Sequence, residues 1–256
     1  MERQKVGGSR IIGRVLPGAV RLWLRSQVEK VEELSLTLAG RDRQSLSGYL
    51  PGAMALAEQA SYQGTYISQL KLSAQDIRIN IGQVIRGKPL RLLQVFPVMG
   101  AVTLTDEDLN ASLASPLLGA GLQDFWRSLI QDAAFSQALE ERYGVMDQQP
   151  DMELHRAQIR LGDRSLALSF YPQVEAKTAD VPVVLATGLS VISGCLLQLE
   201  SPRWLHTLVA LIDSAQEYPI ESLQGLQWDL GKDTQLTQLL VTPEALLCDG
   251  QIMVNP

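Results

Sequence analysis

The sequence predicts an α+β fold with an extensive antiparallel sheet, and three features carry that expectation. Many short segments alternate apolar and polar residues, short turn signals separate most of them, and a few longer stretches repeat their apolar residues every three or four positions. About ten strands and three or four helices result, the pattern of an α+β protein. The 256 residues are enough to bury a large core. The expected organisation is an N-terminal helix over 1–30 followed by one domain over 31–256.

The first element is basic. Residues 1–30 hold seven basic and two acidic side chains, a net +5, so the remaining residues carry −11 of the overall −6. At about 100° per residue, Arg10, Arg14, Arg21 and Arg25 share one helical face, and Ile12, Leu16, Ala19 and Trp23 lie nearly opposite. This pattern suits a helix lying on an anionic membrane, with Trp23 at the polar boundary. It equally suits a helix that packs its apolar face on the fold and exposes its arginines. Pro17 and Gly18 predict a bend or two shorter helices.

Leu34, Leu36 and Leu38 alternate with Ser35 and Thr37 and predict a half-buried strand that ends near Gly40. Between 67 and 82 the apolar phase runs Leu70, Leu72, Ala74 and then slips to Ile77, Ile79, Ile81. A bulge or tight turn near Gln75 and Asp76 follows, a device that bends a sheet. Val102 and Leu104 continue the alternation up to Thr105, where the spacing becomes helical. Thr105 and Asp108 form a near capping box, and Asp106, Glu107 and Asp108 suit the positive helix end, so these acids read as structural rather than as a metal or acid/base cluster.

GKPLRLL (Gly87 to Leu93) followed by LTDEDLNASLASPLL (Leu104 to Leu118) resembles the LmeA family of phospholipid-binding proteins. The similarity runs from about Val31 to the C-terminus, and LWLRSQVE (Leu22 to Glu29) resembles the lead-in of members from photosynthetic bacteria. The resemblance implies a highly curved antiparallel sheet forming an elongated, tubular lipid-binding-like barrel with packed helices, and an apolar tunnel for acyl chains. On that basis Leu34, Leu36, Leu38, Leu70, Leu72, Ile77, Ile79 and Ile81 are the expected lipid-binding positions. Arg10, Arg14, Arg21, Trp23 and Arg25 are the expected membrane-docking positions, and Arg86, Lys88 and Arg91 the head-group candidates.

Leu122, Phe125, Trp126, Leu129, Ile130 and Ala133 predict a second amphipathic helix. MDQQPD (146–151) reads as a surface loop. A hairpin is predicted for Gln158 to Leu161 and Leu166 to Phe170 around Gly162-Asp163, and two strands, Val181 to Ala186 and Leu189 to Leu199, flank Gly188. Ser201-Pro202 resembles a helix start, with Trp204, Leu205, Leu208, Leu211, Ile212 and Ala215 as the apolar face. Strands near Leu223 to Leu230, Leu236 to Val241 and Leu247 to Val254 complete the expectation.

Motif chemistry is sparse. The chain contains no GxGxxG after a strand, no GxxxxGK[ST], no GxSxG and no HExxH, and its two histidines, His155 and His206, read as structural. Cys195 and Cys248 lie among apolar neighbours and predict buried, inert thiols in a reduced compartment. No catalytic residue, metal or cofactor is expected. A net charge of −6 without a basic, aromatic-interleaved stripe argues against nucleic acid as a partner. No signal peptide or membrane-spanning run is expected, which places the chain in the cytoplasm at the face of a plasma or internal membrane. Hydrophobic residues make up 46% and aromatic ones only 5%, a bias that suits aliphatic packing and an acyl-lined cavity alike.

The leading expectation is non-catalytic binding, or transfer, of a phospholipid or other acyl lipid, with docking on an anionic membrane surface. The alternative is an assembly protein without bound lipid whose N-terminal helix takes a protein partner. A lipid-modifying enzyme using His155 or His206 ranks third.

Overall fold

Strand-forming alternation dominates the first hundred residues, and the computed structural model of the chain realises it as a sheet. The structure describes residues 7–40, 47–143, 155–171, 173–174, 177–178, 181–213, 218–231 and 234–256, with the backbone alone at 7–15, 155, 173–174, 177–178 and 212–213. The MDQQPD segment and the side chains of Arg10, Arg14 and His155 therefore lie outside the described residues. The chain is α+β, with two antiparallel sheets whose strand orders are open paths, not closed barrels, among the described residues. It divides into two compact units, one of residues 1–62, 67–102 and 249–256, the other of 63–66 and 103–248.

The first unit begins with α1 (Gly7–Gln27), a single helix that runs through Pro17. Leu16 and Val20 are buried, and Ala19, Trp23 and Leu24 pack on the same cluster, whereas Arg21, Leu22 and Arg25 are exposed. Against it lie β1 (Lys30–Ala39), β2 (Tyr49–Tyr62), β3 (Thr65–Arg78), β4 (Phe96–Leu104) and the end of β14 (Leu246–Val254), adjacent in that order. The expected bulge is present in β3: Gln75 and Asp76 are both exposed before Ile77 is buried, and Asp76 takes the left-handed φ of +54°. Gln94 secures it by donating to the Asp76 carbonyl at 2.7 Å. Ile81 does not continue a strand; it opens the one-turn helix α2 (Ile81–Val84).

The second unit rests on α3 (Asp106–Ser112), α4 (Pro116–Ile130) and α5 (Ala133–Tyr143). Thr105 and Asp108 make the capping box, with Asp108 N–H donating to Thr105 Oγ1 at 3.2 Å and Thr105 N–H to Asp108 Oδ2 at 2.9 Å. Asp106 and Asn110 also hold strand β5 (His155–Leu161). Leu161 N–H donates to Asp106 Oδ1 at 2.7 Å, and the Asn110 amide both donates to and accepts from the Ile159 backbone. The acids are thus spent on a helix start and on the strand end of a sheet, where unpaired backbone groups need partners.

The stripe predicted as one helix over Leu122 to Ala133 is two: α4 stops at Ile130 and Asp132 starts the next helix by accepting from Phe135 N–H at 2.7 Å. Helix α5 left no strong periodic signal, since its apolar residues are few. In the second sheet β5, β6 (Leu166–Tyr171), β9 (Val183–Val191), β10 (Leu196–Trp204) and β11 (Tyr218–Pro219) are neighbours in that order, the short β7 (Gln173–Val174) and β8 (Lys177–Thr178) form their own pair, and the 158–161/166–170 hairpin stands as expected.

Two expectations fail here for identifiable reasons. Gly188 marks no turn: β9 passes straight through it, and glycine is needed because a Cβ would lie 3.1 Å from the Arg164 carbonyl oxygen and 3.3 Å from Glu200 Cβ. Ser201-Pro202 starts no helix either. Both belong to β10 at a register shift, Ser201 with φ +47°, and Arg203 and Trp204 pair with β11. Among the described residues of this region only the short α6 (Ala210–Asp213) is helical. A turn of 3-10 helix (Glu221–Leu223), β12 (Gln227–Asp229) on β10, and β13 (Thr234–Val241) beside β14 complete the unit. Its core is aromatic, with Trp126 edge-on to Phe170 at 5.0 Å and Phe135 stacked on Trp204 at 5.1 Å.

Candidate functional site

In the first unit the register between β1 and β2 sets each leucine opposite an alanine. Leu34 pairs with Ala57, Leu36 with Ala55 and Leu38 with Ala53, all on the face that α1 covers. Cross-strand neighbours that differ so much in size leave space above the small partner. That space is an apolar cleft of about 40 Å³ lined by Leu24, Val28, Leu34, Ala57, Leu70 and Leu72, among others. Leu24 belongs to the last turns of α1 and Val28 to the link that follows, so they form its roof. The link is fastened by Glu29, whose N–H donates to the Ser61 carbonyl at 2.9 Å and whose carboxylate accepts from Ser61 Oγ at 3.0 Å.

The aliphatic positions singled out from the sequence divide by depth. Leu34, Leu70 and Leu72 line the cleft, Leu36 and Leu38 pack half-buried on the adjoining core, and Ile77, Ile79 and Ile81 are buried within it. Leu24, Val28 and the three alanines were not singled out, because alanines on a strand carry no signal until the pairing register is known. A cleft of this size is far below the ~300–1,000 Å³ of small-molecule pockets. An acyl chain therefore enters only if the roof or β1 moves.

A larger space in the second unit, of about 540 Å³, is an open cleft between α4 and α5 lined by Arg127, Gln131, Gln137 and Glu140. Arg127 is engaged there by Asp124 at 2.8 Å.

Arg21, Arg25, Arg86, Lys88 and Arg91 are all exposed, and Trp23 is half-buried against the core. His206 is exposed and meets Tyr218 edge-on at 5.6 Å. Cys195 and Cys248 are half-buried rather than fully buried, Cys195 because it sits in the β9–β10 turn. Among the described residues no group of three His, Cys, Asp or Glu side chains is placed to hold a metal. No described helix is long and apolar enough to cross a membrane. Near the β3 bulge the Tyr49 hydroxyl donates to Asp76. That hydrogen bond and the neighbouring carboxylate charge raise its pKa above the ordinary tyrosine value, while Arg78, stacked 5.3 Å over the ring, opposes them.

The sequence model of a family described as LmeA-like phospholipid-binding matches residues 7–251, nearly the whole chain. No curated protein and no solved structure matches.

Proposed function

From the premise that the chain belongs to the LmeA-like phospholipid-binding family, we propose that it binds a phospholipid without catalysis, housing acyl chains along the leucine and alanine face of β1–β3. The observation that carries this reading is the apolar cleft between that face and the end of α1. Its walls offer aliphatic surface alone, and each methylene transferred from water to such a wall gains about 0.8 kcal/mol, so acyl chains need no further recognition there. Lifting Leu24 and Val28 extends the cleft toward the tunnel expected of a tubular lipid-binding fold. The family match spans both units, which supports treating them as parts of one lipid-binding domain.

Delivery to and from a bilayer follows from the polar face of α1. Arg21 and Arg25, with Arg10 and Arg14 on the same helical face, meet anionic head groups while Leu16, Val20 and Trp23 remain on the core. Arg86, Lys88 and Arg91 are the candidates for the head group of the carried lipid. The test is native mass spectrometry of the purified protein before and after denaturation. The expected result is a phospholipid adduct of one or a few molecules per chain, lost on denaturation. Repeated absence of an adduct, with no uptake from added vesicles, refutes the reading and favours assembly with a protein partner.

A further inference from the structure

The stretch from Ile77 to Thr105 contains no acidic residue and holds Arg78, Arg86, Lys88 and Arg91, a local +4 within a chain of net charge −6. At its centre is a loop that is closed and built. The Ile79–Leu92 bridge and the Leu93 N–H to Arg78 carbonyl bond, 2.9 Å, close its base. Asn80, buried, braces the interior: Nδ2 donates to the Pro89 carbonyl at 3.0 Å and to Gln83 Oε1 at 3.1 Å, and Oδ1 accepts from Arg91 N–H at 2.7 Å. Gly87, at φ +77°, ends α2 with paired bonds, Gly87 N–H to Val84 and Lys88 N–H to Gln83, both 3.0 Å.

This loop has two faces of opposite character. Ile81, Val84 and Leu90 are buried beneath it, yet Ile85 is 47% exposed and Leu93 59% exposed. Arg86, Lys88 and Arg91 lie between these two in sequence, are exposed, and have no carboxylate partner among the described residues. Exposure of large aliphatic side chains beside clustered cations is costly in water and matches an interface where acyl chains begin below a plane of phosphates.

We propose that the loop from Ile81 to Leu93 is the insertion element for an anionic bilayer surface, with Ile85 and Leu93 entering the acyl boundary and Arg86, Lys88 and Arg91 meeting lipid phosphates. This reassigns the three cations from the carried lipid's head group to the membrane itself, and it rests on the phospholipid reading for the choice of a membrane over a protein partner. A free phosphate explains the cations but gives Ile85 and Leu93 no role. The bilayer explains both.

The test is vesicle co-sedimentation of the full chain with phosphatidylcholine, with and without phosphatidylglycerol, at low and high salt. Lys88→Glu is expected to weaken binding to anionic vesicles about 25-fold, roughly fivefold for the lost cation and as much again for the new anion. The matched reversal Lys71→Glu, on exposed Lys71 of β3, is expected to change it less than about twofold, since that charge lies roughly 20 Å along the strand from Arg78 at the loop base, beyond a Debye length. Ile85→Ser and Leu93→Ser each weaken it about tenfold while preserving its salt dependence. Leu93→Trp gives a readout independent of affinity, a blue-shifted emission on anionic vesicles.

Equal effects of Lys88→Glu and Lys71→Glu, or an emission of the Leu93→Trp variant that vesicles leave unchanged, overturn the proposal. If native mass spectrometry shows bound phospholipid while the wild type ignores anionic vesicles, the loop assignment fails and the phospholipid reading stands. Absence of both defeats both.

Discussion

Replacing Asn80 by alanine probes the loop without touching its charges or its exposed aliphatic residues. Three hydrogen bonds disappear, to Pro89, Gln83 and Arg91. At about 1 kcal/mol net for each, the upper value is ~3 kcal/mol. The partners are exposed residues, so water recovers part of the loss and about 2–3 kcal/mol remains. Gln83→Ala, which removes one bond at an exposed position, is expected to cost under about 1 kcal/mol. Native-state hydrogen exchange followed by mass spectrometry over residues 79–93 reads this locally, and urea unfolding reads it globally. A loss of 2–3 kcal/mol accelerates exchange in the loop roughly 30- to 160-fold. Exchange within about threefold of wild type, with an unchanged urea midpoint, refutes the view that Asn80 braces the loop. Vesicle binding in Asn80→Ala should fall despite intact charges, because insertion by a loosened loop must first order it.

Thr105→Ala removes half of the capping box and is expected to cost about 1 kcal/mol by thermal or urea unfolding; no loss means that α3 is held by its contacts to β5 alone. Leu129→Ala, at a fully buried position of the second unit's core, should cost about 3–4 kcal/mol, and a cost below about 1 kcal/mol contradicts the packing described. Gly48→Ala forces a Cβ into the Ile79 carbonyl oxygen at a φ of +79° and should destabilise the first unit by more than about 1 kcal/mol in the same assays; wild-type stability contradicts that backbone geometry. A spectroscopic titration should show a tyrosine ionising above the ordinary value, and Asp76→Asn should return it toward that value. The folded-state pKa is the raised one, so the stabilisation is complete below the unfolded value of about 10 and is lost as pH rises through the folded value. A titration indifferent to Asp76→Asn removes that cause.

Local rules made a large part of this protein readable. The capping box at Thr105 and Asp108, the β3 bulge near Asp76, and the hairpin around Gly162 depend on side chains and neighbours a few residues apart, and each appears where its signature lies. The region after Gly188 misled for the opposite reason. Serine and proline at 201–202 are a helix start by local chemistry, but the paired residues on either side, Glu200 on β9 and Arg203 and Trp204 on β9 and β11, carry them along in a strand at a register shift, and long-range hydrogen bonds outweigh a weak local preference. Gly188 likewise serves a neighbouring strand rather than a turn.

Composition, period and order along the chain suffice for the α+β class, the family signature and the acid-free run from Ile77 to Thr105. It takes the folded chain to set Leu34 opposite Ala57 with Leu24 above them, and to turn Ile85 and Leu93 outward while Val84 and Leu90 are buried. Burial and register are set by segments far apart in sequence, and a one-residue change in the β1–β2 pairing would turn Leu34 away from the face it shares with Ala57.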